Sequence, residues 1–243
     1  MTGLNRAQAL PRAMLIDMDD TLINLTSTSN RCWDELCTSY APRLGDLVVD
    51  EFRAMLTTAR ADYWRDPARH RPGRLDLLGA RRAILAQVLD KLGRADLDLA
   101  HEMAHAFTEA QLGSIEAFPG AIEAVQTLRA QGVKLALITN GEAAEQRRKI
   151  TRFDLAPLFD IVMVEGEFGV GKPDPAVYHH ALGALGAAPH EAWMVGDNLE
   201  WEVAVPQQLG LYTVWVDFEG KGLPPTAPAQ PDRIIRNLAE LVN

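Results

Sequence analysis

The chain has little cysteine, no long apolar run and no excess of positive charge. Cys32 and Cys37 are its only cysteines. They stand five apart on a segment of helical periodicity, with no further Cys or His at zinc spacing. That argues against a disulfide framework and a zinc site, and two reduced, buried thiols are expected. No apolar stretch approaches the ~20 residues of a membrane span. Met1 to Arg12 is mixed and polar, without the apolar centre of a signal peptide. A cytoplasmic protein without a membrane partner is therefore expected. Lys and Arg number 24 against 33 Asp and Glu, a net charge of −9. That balance disfavours nonspecific nucleic-acid binding, so no nucleic-acid partner is expected. Phosphate ligands stay open, since they need only a local positive site. Internal repeats and low-complexity tails are also missing.

What is present is a core-forming sequence, 47% hydrophobic over 243 residues, enough for one large domain or a core plus a module. Residues 13–18 read as a buried strand. From Thr26 to about Gly113 apolar residues recur at three and four spacing over 31–40, 47–64, 76–92 and 96–112, which predicts about four helices. Asp66-Pro67 and Arg71-Pro72-Gly73 predict a loop between two of them. After Phe118-Pro119-Gly120 the pattern alternates. Strands are expected at 134–138, 161–164, 192–195, 211–216 and, at an edge, 232–235. Helices are expected at 121–131, 142–151, 175–186, 199–209 and 238–242. The fold class is α/β: a Rossmann-like parallel sheet core with helices on both faces, plus an inserted all-helical domain. The expected boundaries are 1–25 and 114–243 for the core, and 26–113 for the insert.

The chemistry concentrates at strand ends. Met14-Leu15-Ile16 runs into Asp17-Met18-Asp19-Asp20-Thr21. Packed carboxylates repel and resist burial, so a cation or a reaction must make the cluster tolerable. Thr139-Asn140-Gly141 follows the second strand, Gly171-Lys172-Pro173 lies in a loop, and Gly196-Asp197-Asn198 follows the fourth strand. In a parallel sheet these ends lie on one edge and can converge. Asp17 suits a nucleophile on phosphorus, forming an aspartyl-phosphate. Asp19, two residues on, suits the acid/base. Asp17 and Asp197 offer hard oxygens to Mg²⁺. Lys172 supplies fixed positive charge, and Thr139 with the amides near Asn140 and Gly141 suits phosphate oxygens.

These four motifs, in this order, resemble the haloacid dehalogenase superfamily of aspartate-nucleophile phosphohydrolases, over nearly the whole chain. The insert resembles the helical cap domain of its first subclass. The resemblance implies Mg²⁺ as cofactor, with Asp17 as nucleophile and metal ligand. It implies Asp19 as acid/base with its backbone carbonyl on the metal, and Asp197 as the other protein carboxylate. Thr139 and Lys172 are implied to bind phosphate. The expected activity is a Mg²⁺-dependent phosphomonoester hydrolase acting on a small phosphorylated metabolite, of sugar phosphate, phosphoglycolate or nucleotide type. The alternatives are a 2-haloacid dehalogenase-type hydrolase and a non-catalytic binding protein on the same fold. Where the family commonly places a second Asp after the fourth motif, this chain has Glu202. Glu202 and Asn198 are supporting candidates behind the metal ligands. Val205-Pro206 predicts a short or kinked helix there. Among the arginines of the insert, Arg74, beside Pro72-Gly73, is the first candidate for reaching an anionic substrate. A monomer or homodimer is expected.

Overall fold

The computed structural model describes residues 10–45 and 47–242. Residues 1–9, read above as lacking a signal sequence, lie outside them. The described chain divides into two units. One runs to Asn24 and resumes at Ala117, and the other is Leu25–Glu116.

The first unit is built on six strands: β1 (Ala13–Ile16), β2 (Lys134–Thr139), β3 (Ile161–Val164), β4 (Ala192–Gly196), β5 (Tyr212–Val216) and β6 (Arg233–Ile235). All pair in parallel, in the order β3-β2-β1-β4-β5-β6. β1 and β4 are buried along their whole length, as strands covered on both faces must be.

The second unit holds α1 (Leu25–Tyr40), α2 (Val49–Arg65), α3 (His70–Leu75), α4 (Leu77–Lys91) and α5 (Leu97–Ser114). Its core gathers Cys32, Trp33, Phe52, Ile84, Leu85 and Phe107, among others. Trp33 and Phe107 stack with ring centroids 3.8 Å apart. Both thiols are free and buried, as expected. Asp76 and Asp96 cap α4 and α5 by accepting from the Gly79 and Leu99 amides at 2.8 and 2.9 Å. Each such cap stabilises by about 1 kcal/mol.

The remaining helices belong to the first unit: α6 (Ala121–Ala130), α7 (Ala143–Arg152), α8 (Glu165–Phe168), α9 (Pro175–Leu185) and α10 (Val205–Gln208). α9 lays Val177, Tyr178, Ala181, Leu182 and Leu185 on the sheet face formed by Leu15, Ala136, Ile138 and Met194.

This is the expected α/β fold with its helical insertion, and it differs from the expectation in three places. The loop expected over 66–73 is instead a 3₁₀ turn, Pro67–Arg69, running into α3. Pro72 falls in the first turn of α3, where a missing N–H costs nothing. Gly73 is needed there because a Cβ would meet the Trp64 ring at 2.8 Å. The helix expected over 199–209 is a π-helix, Leu199–Ala204, followed by α10. Pro206 cannot donate to the carbonyl four residues back, so an α ladder breaks at that point. The last segment, Leu238–Leu241, is 3₁₀ only.

Candidate active site at the carboxyl edge of the sheet

The strand order reverses direction between β1 and β4, the position where open parallel sheets leave a crevice at their carboxyl ends. Register places Ile16 beside Leu137 on one side and Val195 on the other. The next residue, Asp17, donates its backbone N–H to the Val195 carbonyl at 3.0 Å. By the same register Asp17 is level with Gly196, and Asp197 follows one residue further along the neighbouring strand. Beyond Asp17 the chain turns tightly. The Leu22 and Ile23 amides both donate to the Met18 carbonyl, and Asp20 adopts a left-handed φ of 57°. This turn carries Asp19 beside Asp17 without continuing the sheet.

Lys172 is 1% exposed, and its Nζ stands 2.5 Å from Asp17 Oδ1 and 2.7 Å from Glu202 Oε1. The loop that carries it is clamped by Asn140, whose Nδ2 donates to the Lys172 carbonyl at 2.7 Å while its Oδ1 accepts the Lys172 amide at 2.8 Å. Gly171 allows the clamp, because a Cβ there would lie 2.6 Å from Asn140 Oδ1. Glu202 rises from the π-helix and accepts the Asn198 amide at 2.8 Å. Its side chain folds over Gly196, where any Cβ would meet Glu202 Cγ at 2.2 Å. The extra methylene of Glu is thus accommodated, and its carboxylate reaches the lysine. Asn198 itself caps the π-helix by accepting from the Glu200 and Trp201 amides.

One ammonium between two buried carboxylates sets the local charge. Burial pushes the Lys172 ammonium down, but Asp17 and Glu202 more than reverse this and hold it above the ordinary lysine value. Burial raises the Asp17 carboxyl against the pull of Lys172. Burial also pushes Glu202 up to about 7, with Lys172 opposing and Asp17 adding to the rise. Asp197 is raised well above the usual carboxylate value, first by burial and then by Glu202, Asp17 and Asp20.

Asp19 has its own partners. Lys149 Nζ is 2.9 Å from each of its carboxylate oxygens. Gln146 Nε2 donates to Asp19 Oδ2 at 3.0 Å, and also approaches Thr139 Oγ1 at 2.6 Å and the Asn140 carbonyl at 2.7 Å. Gly141 differs from expectation: its amide is taken by Glu165 Oε2 at 3.1 Å rather than left for a phosphate. Sequence reasoning missed Gln146, Lys149 and Glu165. The available signal was α7 itself, whose buried positions are Gln146, Lys149 and Ile150. A helix with so few apolar residues to bury must bury polar ones.

The edge therefore brings Asp17, Asp19, Thr139, Asn140, Lys172, Asp197 and Glu202 into one connected arrangement. Arg74 closes α3 in the helical unit, half-buried. Among the described residues no hydrogen bond or ion pair reaches the Asp197 carboxylate, and three acidic neighbours, Glu202, Asp17 and Asp20, outweigh the single cation Lys172. Asp17 and Asp197 are hard oxygen donors in a cluster where one ammonium, Lys172, faces several carboxylates. That set fits Mg²⁺, which takes one or two carboxylates and keeps waters and phosphate oxygens for the rest. A ready-made cage of three or more His, Cys, Asp or Glu is not found among the described residues. Nor is any helix among them long and apolar enough to cross a membrane.

Comparison with known proteins shows the family and the fold. The family of haloacid dehalogenase-like hydrolases matches residues 11–210. A phosphoserine phosphatase of Thermus thermophilus is 32% identical over 95% of this chain and 97% of its own. The N-acylneuraminate-9-phosphatase of Rattus norvegicus is 27% identical over 98% of this chain and 94% of its own. The crystal structure of a 2-haloacid dehalogenase from Pseudomonas syringae superposes with a TM-score of 0.64 at 28% identity, covering 96% of this chain and 97% of the other. A match over residues 11–210, on a parallel sheet whose carboxyl edge gathers the acids and the lysine, leaves one assignment: the chain belongs to the haloacid dehalogenase-like hydrolases.

Proposed function

We propose that this hydrolase is a Mg²⁺-dependent phosphatase acting on a small phosphorylated metabolite. The observation that carries the reading is the pairing of two carboxylates two residues apart with two different buried lysines: Asp17 with Lys172, and Asp19 with Lys149. Asp17 attacks phosphorus, its oxygen bonds to the phosphoryl group and the ester oxygen departs. Lys172 holds the attacking oxygen in place and offsets charge on the transferred group. Thr139 directs its hydroxyl proton to a phosphate oxygen. Asp19 gives a proton to the departing oxygen, then takes one from the water that releases phosphate from Asp17. Asp17, Asp197 and the Asp19 carbonyl would hold Mg²⁺, which neutralises the carboxylates and the incoming dianion. The phosphatase names of the Thermus and Rattus relatives support a monoester substrate.

The likeness to a 2-haloacid dehalogenase keeps a second reading in view. Asp19 weighs against it, because a departing halide needs no proton. One assay separates the two. With p-nitrophenyl phosphate the protein turns over only with Mg²⁺, and Asp17→Asn lowers kcat roughly a thousandfold or more. Metal-independent halide release from a 2-haloacid, without phosphate release, would favour the dehalogenase instead.

A further inference from the structure

We propose that Gln146 and Lys149 are positioning residues that set Asp19 as the base for the second half of the reaction, the hydrolysis of the phosphorylated Asp17. The inference rests on the reading of Asp17 as the nucleophile. Both side chains come from α7, three residues apart and so on one helix face. Lys149 is 2% exposed and Asp19 is 22% exposed, so the ammonium is sealed in while the carboxylate stays open to solvent. The bonds to the two carboxylate oxygens are unequal. Oδ2 accepts from both Lys149 and Gln146, whereas Oδ1 accepts from Lys149 alone. Each carboxylate oxygen has two lone-pair positions, so Oδ2 is saturated and Oδ1 keeps one open.

The amide orientation of Gln146 follows from its surroundings. Asp19 Oδ2 and the Asn140 carbonyl only accept, so the NH₂ group must face them. Thr139 Oγ1 lies 2.6 Å from the same nitrogen, whose two protons the acceptors around it share. Asp19 is thereby held in a single rotamer with one lone-pair position of Oδ1 left for a water. An unheld carboxylate would sample several rotamers and place that lone pair correctly only part of the time. In the step itself, water oxygen bonds to phosphorus, the Asp17–phosphorus bond breaks, and the water proton passes to Asp19 Oδ1.

The test uses pre-steady-state kinetics with p-nitrophenyl phosphate, whose leaving group departs with little help from an acid. In Lys149→Met the first step proceeds and the second slows. A burst of p-nitrophenolate approaching one equivalent per active site is expected, followed by a steady rate about 10- to 100-fold below wild type. Because only the second step is slowed, kcat and KM fall together and kcat/KM holds. Gln146→Ala shows the same pattern more weakly, and Lys149→Arg restores most of the steady rate. A variant that merely folds poorly loses burst amplitude and kcat in proportion, with KM unchanged. That result in both Lys149→Met and Gln146→Ala, or wild-type kinetics in both, would overturn the proposal. Wild-type turnover that survives Asp17→Asn would instead remove the reading beneath it.

Discussion

The two units differ in how much charge they bury. In the helical unit, ion pairs such as Arg43–Glu102 and Arg53–Asp34 sit half-exposed on the surface, while Trp33, Phe52 and Phe107 fill the interior. In the sheet unit Lys149, Lys172 and Glu202 are almost wholly buried at one edge, beside Asp17. Surface pairs cost little to form and contribute little, since water screens them. Buried charges cost several kcal/mol each in lost hydration and persist only when partners hold them. The arginine-rich insert therefore carries mostly solvated charge, with Arg81 as its buried exception, whereas the sheet edge keeps an arrangement that stability alone would not favour.

The contrast breaks most visibly at Lys172. Lys172→Met leaves Asp17 and Glu202 buried and facing each other with no cation between them. Activity is expected to vanish, and unfolding in denaturant to show a loss of about 3–5 kcal/mol in the metal-free protein. A change within the error of the measurement would mean that this edge is wetter than its geometry indicates. The second test follows the proton on Glu202. Its folded value of about 7 lies above the ordinary 4.5. Between those values the folded protein keeps a proton that the unfolded chain releases. The stability contributed by this group is therefore present at low pH and lost as pH rises through that window. Glu202→Gln removes this downward slope, read as unfolding midpoints across pH with a chelator present. The smallest effect belongs to the helical unit. Removing Arg43 or Glu102 leaves the thermal midpoint unchanged at high salt, and a double-mutant cycle finds almost no coupling. A coupling that survives high salt would erase the distinction between the two units.

Much of this edge was legible before any coordinates. Asp17, Lys172 and Asp197 stand where an apolar strand or a Gly-bracketed loop is interrupted by charge, and such interruptions show in one dimension. The partners of these residues were harder to read. Gln146 and Lys149 lie on a helix whose composition resembles that of a solvated surface, and only the packing of α7 turns them inward. Glu202 is a supporting candidate in the sequence, with nothing in one dimension to name its partner. The structure pairs it with Lys172, because the π-turn and the bare Gly196 make room for the longer side chain. Gly141 was expected to offer its amide, but Glu165, more than twenty residues later, occupies it.

The sequence by itself determined the strands, the helical insertion and the residues capable of chemistry, because periodicity and strand-end charge are local properties of a chain. The tertiary structure alone decided which lysine serves which carboxylate and which hydrogen-bonding groups remain free. Those choices depend on distances of about 3 Å between residues up to 155 positions apart, and no local pattern encodes them.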